Sequence, residues 1–189
     1  MKLILTRHGE TLENKEGILQ GHLQGRLSEL GKDQARKLAF RLKNEKIDFI
    51  YSSDLARAAD TAREIAKCHP DTPLNFVQEL REMDLKGLTG KNKKEVRWEE
   101  SLHLIEDTQC QRKRVKKIME EAYSKYPDGT ILFVAHSGII SSLLAYIMNK
   151  DPDYVKGMKK LGNTSVSIVK INPDGNHKII LLDCMAHLE

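Results

Sequence analysis

The chain has little that would staple, span or stack. Its 189 residues include three cysteines, Cys68, Cys110 and Cys184, far apart and odd in number. That pattern suits neither a disulfide framework nor a metal or redox pair, so they read as reduced thiols in a reducing compartment. No window approaches the run of about 18 apolar residues that a membrane helix needs. The first residues pass straight into an apolar strand pattern, so a signal peptide is not expected and a cytoplasmic location is. Aromatic residues are only 5% of the chain and none interrupts its basic runs, which argues against a platform for stacking nucleic-acid bases. Internal repeats, low-complexity stretches and interdomain linkers are also missing, and the length suits one domain, residues 1–189, with a full-sized core.

What is present is a charged, globular composition, 31% Asp, Glu, Lys and Arg with a net charge of +4. The densest basic run, Arg112-Lys113-Arg114-Val115-Lys116-Lys117, sits in a helical pattern with Glu120 and Glu121 and reads as a solvated helix face. A small anionic substrate remains the class of partner that a basic balance favours here; neither nucleic acid nor a membrane is expected.

Apolar runs and helical patterns alternate. Leu3–Thr6, Ile47–Ser52, Leu74–Val77 and Ile131–Ala135 read as strands. Ser28 is placed to cap a helix in which Ala35, Leu38, Ala39 and Leu42 share a stripe. Helices are also expected over 54–68, Glu99–Lys125 and 138–148, with a polar functional loop at 80–100. Residues 166–171 and 178–183 flank Asn172-Pro173-Asp174-Gly175-Asn176 and read as a β-hairpin. The alternation predicts an α/β fold: a single three-layer α/β/α domain with a mostly parallel sheet and an antiparallel edge. The hairpin edge offers a strand for a homodimer, although nothing in the sequence requires one.

Two of the apolar strands run into histidines. Leu3-Ile4-Leu5-Thr6 leads to Arg7-His8-Gly9-Glu10, and Ile131-Leu132-Phe133-Val134-Ala135 leads to His136-Ser137-Gly138. In parallel sheets, ligands bind outside the carboxyl ends of strands, so His8, Ser53 and His136 should share a cleft with Arg7 and Arg57. Two guanidinium forks match phosphate oxygens. Their charge disfavours protonation of a neighbouring imidazole, and a neutral imidazole is a nitrogen nucleophile. The set suits phosphoryl transfer, in which positioning and charge stabilisation supply most of the rate.

Thr6-Arg7-His8-Gly9-Glu10-Thr11 resembles the signature of the histidine phosphatase superfamily, which includes the cofactor-dependent phosphoglycerate mutases. Gln20-Gly21, Leu27-Ser28-Glu29-Leu30-Gly31, Ser52-Ser53-Asp54-Leu55-Ala56-Arg57-Ala58, Leu80-Arg81-Glu82, Val134-Ala135-His136-Ser137-Gly138 and Asn163-Thr164-Ser165 agree in order and spacing across nearly the whole chain. The resemblance implies a phosphoglycerate mutase-like fold and a metal-independent reaction in which His8 becomes a phosphohistidine. It implies that Arg7, Arg57 and His136 hold the equatorial oxygens and that Glu82 moves the proton. Asn14, Thr11, Gln20, Gly21 and Ser137 are the expected substrate-binding residues. Gln24, Arg26, the Leu85-Lys86-Gly87 stretch and Ser137 depart from the usual pattern without touching the reacting groups. His22 follows strand one and could meet substrate; His69, His103, His177 and His187 lack metal-ligand spacing.

The expected function is phosphomonoester hydrolysis on a small phosphorylated metabolite. The alternative is a mutase primed by 2,3-bisphosphoglycerate. The short cap segment, about 83–128, favours the phosphatase, while Lys91, Lys93, Lys94, Arg97, Arg112 and Arg114 in or near it are available to grip a carboxylate or second phosphate. A non-catalytic phosphoryl-binding module is a third reading, disfavoured by the complete set of reacting residues.

Overall fold

The computed structural model describes residues 1–101 and 105–189, and its centre is one six-stranded sheet. The strands are β1 (Lys2–Arg7), β2 (Phe49–Ser53), β3 (Leu74–Val77), β4 (Thr130–Ala135), β5 (Val166–Lys170) and β6 (Lys178–Cys184). They lie in the order β3-β2-β4-β1-β5-β6. The first four pair in parallel; β5 runs antiparallel to β1 and β6 antiparallel to β5. The expected mostly parallel α/β sheet with its hairpin edge is what forms.

Both faces of the central strands are buried, which is why their sequences are continuous apolar runs rather than alternating ones. Leu3, Leu5, Tyr51, Ile131 and Phe133 point to one side, where they meet helices α5 (Thr108–Lys125) and α6 (Ser137–Ile147) through Val115, Ile118, Ile139 and Leu143. Ile4, Ile50, Leu132 and Val134 point to the other side. There they meet α2 (Glu29–Leu42) and α3 (Ala56–Ala66) through Leu38, Leu42, Ala58, Ala62 and Ile65. Each fully buried aliphatic chain contributes about 1.5–3 kcal/mol by leaving water.

The topology places the site. The connection from β1 passes through α2 to β2 on one side, and that from β4 passes through α6 to β5 on the other. Adjacent β1 and β4 therefore send their chains to opposite faces, and their carboxyl ends border a crevice. Residues 7 and 135 are register partners, so the following His8 and His136 emerge side by side.

Local boundaries differ from expectation in a few places. Strand two begins at Phe49 and not Ile47, which is buried in the core without ladder pairing. The helix expected over 54–68 spans Ala56–Ala66, after Asp54 and Leu55 complete the turn out of β2. The long helix expected from Glu99 is two: α4 (Trp98–Ser101) and α5, which Asp107 caps through the Gln109 N–H. His103 lies outside the described residues. A helix the sequence pattern did not suggest, α1 (Leu12–Glu16), is too short for apolar periodicity. It depends on a capping box: Thr11 Oγ1 accepts from the Asn14 N–H at 3.0 Å, and Asn14 Oδ1 accepts from the Thr11 N–H at 3.3 Å.

α2 packs hard against the loop that carries His8. A Cβ on Gly31 would overlap the Glu10 carbonyl oxygen and lie 2.8 Å from the Glu10 nitrogen. Both obstacles are backbone, so they cannot rotate away. Gly31→Ala is expected to destabilise the fold by about 1–3 kcal/mol, read as a lower urea midpoint at unchanged slope. An unchanged midpoint would mean that the loop yields freely.

Candidate active site

At the end of β1 the backbone is tied down from three directions. His8 N–H donates to the Ala135 carbonyl at 3.0 Å, Gly9 N–H donates to Thr61 Oγ1 at 3.1 Å, and Asn163 Nδ2 donates to the His8 carbonyl at 2.9 Å. Thr164 N–H also reaches the Arg7 carbonyl at 3.0 Å. The late Asn163-Thr164 pair thus serves as a brace for the His8 backbone. Thr61 in turn donates to the Arg57 carbonyl at 2.8 Å, linking α3 to the same loop.

The His8 ring is almost wholly buried, and its Nδ1 lies 2.7 Å from the Gly9 carbonyl oxygen. A carbonyl only accepts, so Nδ1 carries the proton and Nε2 of the neutral ring keeps its lone pair. Burial is the main force holding the His8 pKa well below its usual value; the charges of Arg7, Arg57 and Lys160 act the same way, against the Gly9 hydrogen bond. His136 is fully buried behind it, with ring centroids 5.1 Å apart. Its pKa is likewise lowered, first by burial and then by Arg57, His8 and Arg7. His136 Nε2 sits 2.9 Å from Ser53 Oγ, while its Nδ1 has no partner among the described residues.

The two guanidinium groups are buried and held by backbone carbonyls. Arg7 donates through one terminal nitrogen to the Leu161 carbonyl at 2.6 Å and through the other, at 3.5 Å, to Asn14 Oδ1. Arg57 donates to the carbonyls of Leu23, Gln24 and Gly21, the last at 2.9 Å. Gly21 adopts φ +46°, the left-handed conformation that aims its carbonyl at this guanidinium. Each arginine keeps a buried Nε without a partner among the described residues. Burial pulls the Arg57 pKa down to about 10, which leaves it charged at neutral pH.

Glu82 lines the same cleft as these cations. Its carboxylate accepts from the N–H groups of Met83 at 3.0 Å, Gly138 at 3.3 Å and Ile139 at 3.2 Å. The last two are the free donors at the start of α6, whose dipole favours an anion there. Gly138 is required for this approach: a Cβ would stand 2.6 Å from Glu82 Oε1.

Arg7, His8, Asn14, Gln20, Gly21, Arg57, Glu82, Ser137 and Lys160 line one cleft of about 350 Å³ with a largely apolar outer wall. That is the low end of the small-molecule range. Two larger hollows on the surface have no histidine among their described lining residues. Other expected residues serve elsewhere. Thr11 is fully buried as the α1 cap, and His136 touches the cleft only through its neighbours. His22 donates from Nε2 to the Glu82 carbonyl at 2.9 Å, bracing the carboxylate-bearing loop. Arg114 pairs with Glu106 at 2.6 Å and Arg112 donates to the Lys150 carbonyl, so neither is free to grip a substrate. Lys160 has no counterpart in the sequence reading; as one lysine of the pair Lys159-Lys160 before Leu161-Gly162, it carries no pattern that singles it out.

A crevice at the carboxyl ends of β1, β2 and β4, with a neutral histidine between buried arginines and a facing carboxylate, defines a protein that handles phosphoryl groups through a histidine. The profile of the histidine phosphatase superfamily (branch 1) matches residues 3–182, and the chain belongs to that superfamily. It is 31% identical to phosphoglycerate mutase-like protein 4 of Arabidopsis thaliana, over 100% of this chain and 87% of that protein. It is 32% identical to phosphoserine phosphatase 1 of Hydrogenobacter thermophilus, over 100% of this chain and 94% of that one. The solved structure of Bacillus stearothermophilus YhfR matches with a TM-score of 0.90 at 25% identity, covering 100% of this chain and 99% of that one.

The buried neutral histidines couple stability to pH. Below the unfolded-state value of about 6.5, the unfolded chain binds protons that folded His8 and His136 refuse. Stability should therefore fall as pH drops from about 6.5 to 5, above the carboxylate range, by up to about 1.4 kcal/mol per pH unit for each histidine. Urea unfolding across that window measures the slope, and side-chain ¹⁵N spectra should show both rings still neutral at pH 6. A flat profile with protonated rings would contradict the site.

Proposed function

We propose that the protein is a metal-independent phosphomonoesterase that works through phosphohistidine at position 8 on a small phosphorylated metabolite. One observation carries the reading: His8 commits Nδ1–H to the Gly9 carbonyl, leaving the Nε2 lone pair uncommitted in a cleft that Arg7, Arg57 and Glu82 also line.

The steps follow from those positions. The phosphate dianion meets Arg7 and Arg57, with Asn14 and Gln20 beside it. Nε2 of His8 forms the N–P bond as the ester P–O bond breaks. The leaving oxygen takes a proton from the Glu82 carboxyl group. Charge that develops on the imidazole ring is drawn off through Nδ1–H to the Gly9 carbonyl. Water then gives a proton to the Glu82 carboxylate and displaces the histidine from phosphorus, releasing inorganic phosphate and restoring neutral His8. The buried guanidinium groups supply the charge stabilisation that a divalent cation supplies in other phosphoryl-transfer sites, and neutral His136 adds a hydrogen-bond donor beside His8.

We favour hydrolysis over mutase chemistry because the arginines near the cap are engaged by the protein itself. A mutase must hold its substrate's second anionic group firmly enough to reorient it without losing it to water. The whole chain, 1–189, is taken as one catalytic domain, with the segment after Glu82 as its short cap. A cytoplasmic setting suits the three unpaired thiols.

The protein is expected to release phosphate from p-nitrophenyl phosphate in the presence of EDTA, and His8→Ala to lose about 10⁴-fold or more in kcat. Glu82→Gln should slow histidine phosphorylation by alkyl phosphates by about 10²–10⁴-fold while sparing the p-nitrophenol burst from p-nitrophenyl phosphate, whose leaving group needs no proton; the later hydrolysis of phosphohistidine, common to both esters, should slow equally. Equal slowing of the phosphorylation step with both esters would remove Glu82 from the acid role; turnover that requires added metal would remove the mechanism.

A further inference from the structure

The segment after β6 folds back toward the loop that positions His8. It lies beyond residues 3–182, the part that the superfamily profile covers, and the reaction scheme gives it no task. It forms a short 3₁₀ turn, Ala186–Leu188, that packs against α2. Two α2 side chains reach it: Lys37 donates to the Leu188 carbonyl at 3.5 Å and Arg41 to the Cys184 carbonyl at 3.4 Å.

Within that turn, His187 is joined at both ring nitrogens. Arg41 donates to Nδ1 at 3.1 Å. A guanidinium only donates, so Nδ1 of His187 accepts and the proton of the neutral ring is on Nε2. Nε2–H then donates to Thr164 Oγ1 at 3.2 Å, and Thr164 Oγ1–H donates to the Asn163 carbonyl at 2.7 Å. Burial, with the charges of Arg41 and Lys37, pulls the His187 pKa down to about 4, so the ring keeps this arrangement at neutral pH.

Thr164 is the residue that needs holding. It is fully buried at φ +56°, a left-handed conformation that a β-branched residue rarely adopts. From there its N–H reaches the Arg7 carbonyl at 3.0 Å and the His8 carbonyl at 3.4 Å, past the last β1–β5 register pair, Thr6 with Val166. Backbone in a rare conformation persists only where its surroundings over-determine it. The Asn163 carbonyl is a local partner of the Thr164 hydroxyl; His187 is the partner that ties it to another part of the fold.

We propose that His187 is a positioning residue for phosphoryl transfer: through Thr164 it holds the Arg7–His8 backbone in the geometry from which Nε2 of His8 attacks. This rests on the phosphatase reading above and adds to it a residue from outside the cleft.

The test is a double-mutant cycle at His187 and Thr164. It is read in kcat/KM for p-nitrophenyl phosphate, which covers the steps up to phosphorylation of His8, at a temperature where circular dichroism shows every variant folded. His187→Leu should lower that value by about 10–100-fold, the size of loss that follows a misplaced reacting group. His187→Gln offers an oxygen to Arg41 and an N–H to Thr164, and should recover most of it. In a Thr164→Gly background the link is already gone and glycine accepts the left-handed conformation unaided. There His187→Leu should change kcat/KM by less than about twofold. Amide hydrogen exchange gives a reading that needs no turnover: the Thr164 N–H should exchange faster in His187→Leu, and not in His187→Gln, relative to the amides of β4.

A lower urea midpoint for His187→Leu with kcat/KM unchanged would make the contact merely stabilising and overturn the proposal. So would equal losses in the two backgrounds, or a glutamine variant as slow as the leucine one. No p-nitrophenol from the wild-type protein would instead fell the phosphatase reading and the positioning role with it, whatever exchange at Thr164 shows.

Discussion

The burial of two guanidinium groups beside two uncharged imidazoles is the constraint around which this molecule is arranged. Moving a cation out of water costs several kcal/mol even after relaxation. Arg7 and Arg57 offset that cost with backbone carbonyls, from Leu161 for one and from Gly21, Leu23 and Gln24 for the other. Carbonyls can be aimed only by controlling backbone conformation, which accounts for the left-handed turn at Gly21 and for the anchoring of Leu161 to Ser137. Burial first, and then the two charges, lower the proton affinity of both histidines, and the same charges suit the cleft to an anion. On the proposed reading, binding and nucleophile activation share that arrangement.

The fold supplies what the charges cannot. Adjacent β1 and β4 bring His8 and His136 out side by side because their connections leave toward opposite faces of the sheet. The start of α6 holds Glu82 by two main-chain donors, so the carboxylate is placed by the helix that follows His136. α3 contributes Arg57 and, through Thr61, a tie to Gly9. His8, the two guanidinium groups and Glu82 therefore belong to elements that pack against one another in the core.

Much of this was readable from residue order. Strands buried on both faces must be apolar throughout, so β1 and β4 stood out, and a histidine directly after each could only lie at the sheet's carboxyl edge. Ser28 and the Ala35–Leu42 stripe located α2 because capping and periodicity are local properties. Other features depend on distant partners and left no local mark. The α1 capping box rests on two side chains in a five-residue helix, below the length at which periodicity speaks. Arg114 looked available until Glu106 came to meet it, and Thr11 looked exposed to substrate until the cap buried it. Lys160 becomes visible only when the loop before β5 is folded against Arg7.

Trapping the covalent intermediate tests the central idea most directly. Turnover quenched rapidly into base, followed by peptide mass spectrometry and ³¹P NMR, should yield a phosphoryl group on Nε2 of His8 that is stable to alkali and lost in acid. A phosphoryl group on Nδ1 of that ring, or on any other residue, would contradict an account in which the Gly9 carbonyl fixes the tautomer and the buried arginines keep the imidazole ready to attack.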